Sequence, residues 1–355
     1  MGWRRADAYD EYGKWSEDDV RVRASRRGSR PRTKQRPAHE DAVEGFVLAV
    51  DRGRYTCLVD EGRRKREREV IAARARELGR KSIVVGDRVA LVGDVSGDAG
   101  SLARIVRIEP RTTLLRRSAD DSDEVERVIV ANADQLCIVV ASAQPEPRPR
   151  LIDRYLVAAY DAGIAPLLVI TKTDLEPADA LRELVAPLQV PVFESALGEE
   201  PSEALRAALV DRVSVMVGHS GVGKSTLVNA LVPHAERATG HVNVVTGRGR
   251  HTSSSSLALR VEGPDGEGDG WIIDTPGVRS FGLGHVDPDS VLRAFAGIAE
   301  VVAECPRGCT HLADAPDCEL DAAIADGRLD ELGAARVASL RRLLVSMAGP
   351  ESAEG

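Results

Sequence analysis

Residues 218–226 read GHSGVGKST, between the apolar run RVSVMV and KSTLVNALV, whose apolar positions repeat at helical spacing. A glycine-rich turn leading from a strand into a helix is a phosphate cradle. Gly218, Gly221 and Gly223 let main-chain N–H groups curl around phosphate oxygens without Cβ clashes, and His219, Ser220, Val222 and Thr226 complete the stretch expected at the phosphates. Lys224 brings a mobile positive charge to the β and γ phosphates, which makes it a candidate catalytic residue as well. Ser225 offers a hydroxyl to Mg²⁺, and the helix N-terminus adds its partial positive charge. A turn without a ligand is the alternative, but the full pattern in strand–helix context favours a nucleoside triphosphate site.

GWIIDTPG, residues 270–277, supplies a second element. Asp274, at the end of an apolar strand, can hold Mg²⁺ through water, and Gly277 can bring its N–H to the γ-phosphate. Two further tetrapeptide-scale signals concern the base. TKTD (Thr171, Lys172, Thr173, Asp174) ends the apolar run APLLVIT, and SAL (Ser195, Ala196, Leu197) follows VPVFE. Asp174 would accept from guanine N1–H and its exocyclic amine, the Lys172 stem would cover the base face, and SAL would present an N–H to the guanine carbonyl. Either alone is also an ordinary surface turn; together, beside a phosphate loop, they point to guanine. Their order is unusual, because the base elements precede the phosphate loop. Ligands of open α/β sheets bind outside the carboxyl ends of the strands, so spatial strand order builds the site and chain order need not.

These residues need a scaffold. QLCIVVAS, APLLVIT, VPVFES, RVSVMVG and GWIID alternate with LIDRYLVAAYDAG, ALRELVAPL, SEALRAALV and KSTLVNALV, the pattern of a mostly parallel α/β sheet. Upstream, VEGFVLAV, YTCLVD, a run around Val70–Ala72, VVGDRVALV, LARIVRIEP and TTLLRR predict five or six short strands closing an OB-type barrel. The expected organisation is a disordered basic tail over 1–42, the barrel over 43–118, the nucleotide domain over 119–286, a helical metal-binding domain over 287–348 and a disordered tail over 349–355.

At 43% hydrophobic and 29% charged, the 355-residue chain can bury cores and is not globally disordered. No run approaches the roughly 20 apolar residues of a membrane span, and the polar start lacks a signal-peptide core, so a soluble cytoplasmic protein without membrane partners is expected. The net charge of −8 hides an asymmetry: residues 21–118 carry 25 Lys/Arg against 13 Asp/Glu, and the rest is acidic. Residues 21–37 hold eight basic and no acidic side chains, and the segment EGRRKRERE (61–69) holds five basic ones, followed by Arg74, Arg76, Arg80 and Lys81. A polyanionic partner, RNA, is the expectation, with backbone rather than stacking contacts because aromatics are scarce.

TKTD, SAL, GHSGVGKST, GRGRHTSSSS and DTPG in that order, with a basic barrel before and Cys/His after, resemble the circularly permuted ribosome small-subunit-dependent GTPase A family (ribosome biogenesis GTPase). The resemblance covers about residues 43–345. It implies an OB barrel, a permuted GTPase domain and a zinc domain, acting on the small ribosomal subunit and its rRNA late in maturation. Thr171 departs from the Asn of many GTPases, which predicts a weaker tether for the base loop.

Residues 240–261, GHVNVVTGRGRHTSSSSLALRV, read as a switch segment ordered by γ-phosphate and Mg²⁺, with Thr252 or a neighbouring serine as a further Mg²⁺ contact. Val278 and Arg279 follow DTPG where a water-positioning Gln is common, so slow intrinsic turnover is expected. His251 resembles the family's switch histidine, which implies that it positions the attacking water; an idle solvent-exposed histidine is the alternative. Hydrolysis is expected to rise by about tenfold or more with small subunits, below the ~10³–10⁵ that a supplied partner group can give.

CPRGCTHLADAPDC places Cys305, Cys309, His311 and Cys318 within one short segment. Cys₃His suits one closed, structural zinc site, free thiols being the alternative. The resemblance implies zinc too, although Cys-x₃-Cys and His-x₆-Cys are shifted by one from the family's spacings. Cys57 and Cys137 lie in apolar runs and are expected in cores. Arg336, Arg341 and Arg342 are candidate rRNA contacts. The leading expectation is a monomeric, ribosome-stimulated GTPase that binds GTP and GDP. The alternative is an RNA-binding scaffold that uses the nucleotide only as a binding switch; an ATP-dependent kinase or helicase is disfavoured by TKTD and SAL.

Overall fold

The structure, a computed structural model, describes residues 39–59, 67–79, 82–118, 126–232, 256–275, 283, 286–295 and 297–347. Most of the basic tail, residues 61–66, Arg80, Lys81, His251, Thr252, Gly277, Val278, Arg279 and the 349–355 tail lie outside these residues.

Five strands form the N-terminal barrel: β1 (Val43–Asp51), β2 (Arg54–Val59), β3 (Arg68–Arg74), β4 (Arg88–Gly93) and β5 (Ala103–Ile108). They run in the order β1-β2-β3-β5-β4, and β4 pairs back onto β1 to close the ring. Only the β3–β5 pair among these is parallel. Val47, Cys57, Val59, Val70, Val89, Leu91 and Ile105 fill the interior, each essentially without solvent contact. Burial drives the Cys57 thiol up to about 12, as suits a core residue. TTLLRR, grouped with the barrel by sequence, forms β6 (Leu114–Ser118) and pairs with β7 (Glu126–Ala131) in a two-stranded sheet of its own. Its main-chain partner over Leu114–Ser118 is thus β7 rather than a barrel strand.

The nucleotide domain contains β8 (Gln135–Ala141), α1 (Pro149–Asp161), β9 (Ala165–Thr171), α2 (Asp179–Val185), β10 (Val192–Ser195), α3 (Glu203–Leu209), β11 (Val213–Val217), α4 (Lys224–Leu231), β12 (Leu257–Glu262) and β13 (Asp269–Asp274). Its strand order is β10-β9-β8-β11-β13-β12, with all neighbours parallel except β12 against β13. Strand period decides the layering. On β8, Leu136, Ile138 and Val140 pack toward α1 residues Ile152, Tyr155 and Leu156, whereas Cys137, Val139 and Ala141 join Leu205, Leu209 and Leu227 from α3 and α4. LALRV, included in the expected switch segment, is ordered strand: Ala258, Leu259 and Val261 of β12 are buried. β12 also pairs with β1 at Leu257 and Ala49, so barrel and nucleotide domain share one eleven-stranded sheet.

Beyond β13 come α5 (Pro288–Arg293), α6 (Ile298–Val302), α7 (Glu319–Ala325) and α8 (Glu331–Met347). Val337, Leu340, Leu343 and Leu344 of α8 are buried in the cluster that contains the α1 core residues. Among the described residues, no helix is long and apolar enough to cross a membrane.

Candidate functional site

The carboxyl ends of β9, β10, β11 and β13 deliver TKTD, SAL, the glycine-rich loop and Asp274 to one edge of the sheet. Two glycines explain the tight course of the loop. A Cβ on Gly218 would sit 2.4 Å from the Val139 carbonyl oxygen of the neighbouring strand. Gly223 caps α4 with φ +91°, a conformation that L side chains resist. Lys224 and Ser225 open α4, and the Lys224 ammonium lies 3.4 Å from the Gly218 carbonyl.

The base elements meet that loop through side chains. The buried Thr171 hydroxyl sits between the carbonyl oxygens of Val222, within the phosphate loop, and Val140, at 3.2 Å. The weaker tether expected of a threonine here is therefore offset: its short side chain reaches the loop directly. Lys172 donates to the Gly221 carbonyl at 2.9 Å and to that of Gln144. Asp174 accepts from the Leu197 N–H at 3.1 Å, which joins TKTD to SAL. Between them opens a cleft of about 510 Å³, lined by Thr171, Lys172, Asp174, Ser195, Ala196, Leu197, Gly223 and Thr226 among others. Leu197 is 76% exposed, an apolar side chain left available at this mouth.

Asp274 stands opposite Met216 on β11 and Leu257 on β12. Its Oδ1 is buried without a hydrogen-bond partner among the described residues, and burial pushes the carboxyl above its ordinary range while the Lys224 charge pulls it back. A buried carboxylate oxygen with no partner among the described residues, under the charge of Lys224 from the phosphate loop, fits a Mg²⁺-binding role. Thr275 is anchored by its hydroxyl to the Met216 carbonyl at 2.9 Å.

Sequence reasoning passed over the segment after β8, which carries no motif. Ser142 donates to the Lys172 carbonyl at 2.7 Å, Gln144 accepts from Lys172, and Arg148 lies 3.4 Å from the His219 ring. The segment braces both base and phosphate loops from the far side. Only its position after an apolar strand hinted at this.

The ligand atoms of Cys305, Cys309, His311 and Cys318 all lie within 4.8 Å of one another, so the group could hold a metal ion. His311 Nδ1 is buried without a partner among the described residues, and burial lowers the histidine pKa, favouring the neutral, ligating form. Burial, with Cys309 and Cys318 alongside, raises the Cys305 thiol to about 11. The His311 main-chain N–H lies 3.4 Å from Cys309 Sγ, and an Arg341 nitrogen 3.9 Å from Cys318 Sγ. The donor set fits a closed tetrahedral site. Cys137 is buried in the sheet, its thiol raised by desolvation.

The C-terminal arginines, candidate rRNA contacts by sequence, are half-buried and have partners within the chain. Arg341 binds both carboxylate oxygens of Asp321 at 2.9 and 2.8 Å and the His311 carbonyl at 3.0 Å. Arg342 pairs with buried Asp153, and the Arg336 guanidinium lies 6.0 Å over the Phe295 ring.

Comparison with known proteins agrees with this geometry. A family model described as RsgA GTPase matches residues 108–284. The small ribosomal subunit biogenesis GTPase RsgA of Pseudomonas aeruginosa (strain LESB58) is 39% identical over 274 residues, 75% of this chain and 76% of that protein. The chain belongs to the RsgA GTPase family. It is a GTP hydrolase. A second relative, small ribosomal subunit biogenesis GTPase RsgA 1 of Vibrio vulnificus (strain YJ016), is 36% identical over 278 residues, 76% of each chain. The fold is similar to that of YjeQ from Thermotoga maritima (TM-score 0.60, 24% identity, 87% of this chain and 100% of that one). It is also similar to that of YloQ, a circularly permuted GTPase (TM-score 0.59, 22% identity, 89% and 99%). The permutation explains why the base elements of this RsgA family member, on β9 and β10, precede its phosphate loop in the chain.

Proposed function

We propose that this GTPase acts in late maturation of the small ribosomal subunit, as a cytoplasmic monomer that engages rRNA through its basic front end and hydrolyses GTP to GDP and phosphate faster when docked. The observation that carries the nucleotide part is convergence: residues 171–174, 195–197 and 218–226 meet around one cleft, tied by Thr171 and Lys172 to the phosphate loop. The subunit part is supported by the names of the relatives and by the excess of basic residues over 21–118. The working division is a basic tail over 1–42, barrel over 43–118, GTPase domain over 119–286, helical metal domain over 287–348 and tail over 349–355.

In this reading Asp174 accepts from guanine, Lys172 covers the base, and residues 218–226 donate main-chain N–H groups to the phosphates, joined by the Gly277 N–H. Lys224 balances charge that builds on the β and γ phosphates in the loose transition state. Mg²⁺, which Ser225, Asp274 and Thr252 would hold, would supply further charge neutralisation when bound. His251 orients the attacking water, a positioning role completed on the subunit. Cys305, Cys309, His311 and Cys318 hold one structural zinc.

The test is phosphate release from GTP and from ATP, each with and without purified small subunits. GTP turnover that is slow alone and rises by about tenfold or more on the subunit is expected. GTP turnover indifferent to subunits would leave a GTPase with another trigger, and no turnover under either condition would favour the binding-switch scaffold.

A further inference from the structure

Besides the β1–β12 pairing, one cation joins the barrel to the GTPase domain. Arg260 of β12 is 2.8 Å from an Asp269 oxygen on β13 and 2.6 Å from an oxygen of Glu67, at the entry to β3 of the barrel. Its guanidinium carbon stands 5.0 Å from the centroid of Trp271, which packs at 5.3 Å on Phe46 of β1. Glu67 closes the run EGRRKRE, and its successor Arg68 donates to the Val95 carbonyl of the barrel at 2.6 Å. The chain leaving the basic run is thus gripped twice within two residues, once by the barrel and once by the GTPase sheet.

The strands so gripped matter. β12 is the first strand after the expected switch residues His251 and Thr252, and β13 ends at Asp274. Leu257, which pairs with Asp274, is the same residue that pairs with Ala49 of the barrel. A shift of the barrel relative to the sheet therefore acts on the two strands that border the γ-phosphate elements, and on no base-binding strand. The planar guanidinium, meeting the Asp269 carboxylate of β13, the Glu67 carboxylate just before β3 and an aromatic face, fixes orientation in a way an ammonium does not.

Resting on the subunit-stimulated reading above, we infer that Arg260 is a positioning residue for hydrolysis: through Glu67 it transmits the seating of the basic barrel on RNA to the strands flanking the γ-phosphate. It touches neither nucleotide nor RNA in this scheme. It sets how far docking is converted into rate.

The experiment compares full-length wild type, Arg260→Met and Arg260→Lys in GTP hydrolysis across a titration of small subunits, with thermal melting as a fold control. Arg260→Met is expected to keep basal turnover within about twofold and the half-saturating subunit concentration unchanged. Its rate at saturating subunit should fall by about fivefold or more, and Arg260→Lys should recover part of it. An unchanged saturated rate in Arg260→Met overturns the inference, as does a defect confined to the half-saturating concentration, which would make the contact a docking feature. Should Arg260→Met melt, Glu67→Gln leaves the Arg260–Asp269–Trp271 cluster in place and is expected to lower the saturated rate at least twofold; no change there overturns the inference equally. A wild type that subunits do not stimulate would instead sink the reading beneath it.

Discussion

Arg342 of α8 donates through Nε to both carboxylate oxygens of Asp153 on α1, each at 3.0 Å, and its other arm reaches the Leu184 carbonyl at 3.2 Å. The Asp153 side chain is 1% exposed, that of Arg342 32%, so the pair bolts the C-terminal helix to the GTPase domain from a half-buried position. Removing only the cation strands a carboxylate whose pKa is already raised by desolvation. Arg342→Ala is expected to destabilise by about 2–4 kcal/mol, the lower part of the range reflecting solvent at the arginine. Denaturant melts check this, and Asp153→Leu/Arg342→Leu should be more stable than Arg342→Ala alone.

Thr171→Val keeps shape and burial but deletes the hydroxyl that reaches the Val222 and Val140 carbonyls. The loss of about 1 kcal/mol typical of such a hydrogen bond predicts roughly fivefold weaker GDP binding, seen as faster release of a fluorescent GDP analogue. Melting temperature should fall by only about 2–4 °C. Unchanged release would mean that Lys172 alone tethers the two loops.

The Cys/His cluster predicts one zinc per chain by elemental analysis of purified protein. Cys309→Ser should lose that metal and destabilise α7 and α8, while GDP binding stays within about twofold because the base and phosphate loops are built elsewhere. Cys57→Ser should leave the metal content intact.

Burial of the Asp274 carboxyl carries a cost in its charged form. Its folded pKa lies above the ordinary 3.8, so the native state holds this proton more tightly than the unfolded chain does. The associated stability is present at pH values below the unfolded pKa and is lost as pH rises through the folded one. At neutral pH, Asp274→Asn is therefore expected to raise stability by about 1 kcal/mol while reducing Mg²⁺-dependent hydrolysis at least tenfold. Melting at pH 7 and at pH 4 checks the sign: the gain should shrink on acidification.

Much of the site was legible in the linear chain because its parts are local. GHSGVGKST, TKTD, SAL and DTPG each carry their chemistry within a few residues, flanked by apolar runs with strand or helix periodicity, and the four metal-binding candidates span one short segment. What no local pattern carries is adjacency. That β8 lies between β9 and β11, that β12 rather than the barrel's own sixth run joins β1, and that Arg341 and Arg342 face Asp321 and Asp153 instead of solvent all depend on pairing across long separations. Main-chain hydrogen bonds between strands are indifferent to side-chain identity, and a guanidinium takes whichever carboxylate or aromatic face the packed chain brings near. Local chemistry therefore determined what this protein handles, and the tertiary structure decided how its domains are joined around it.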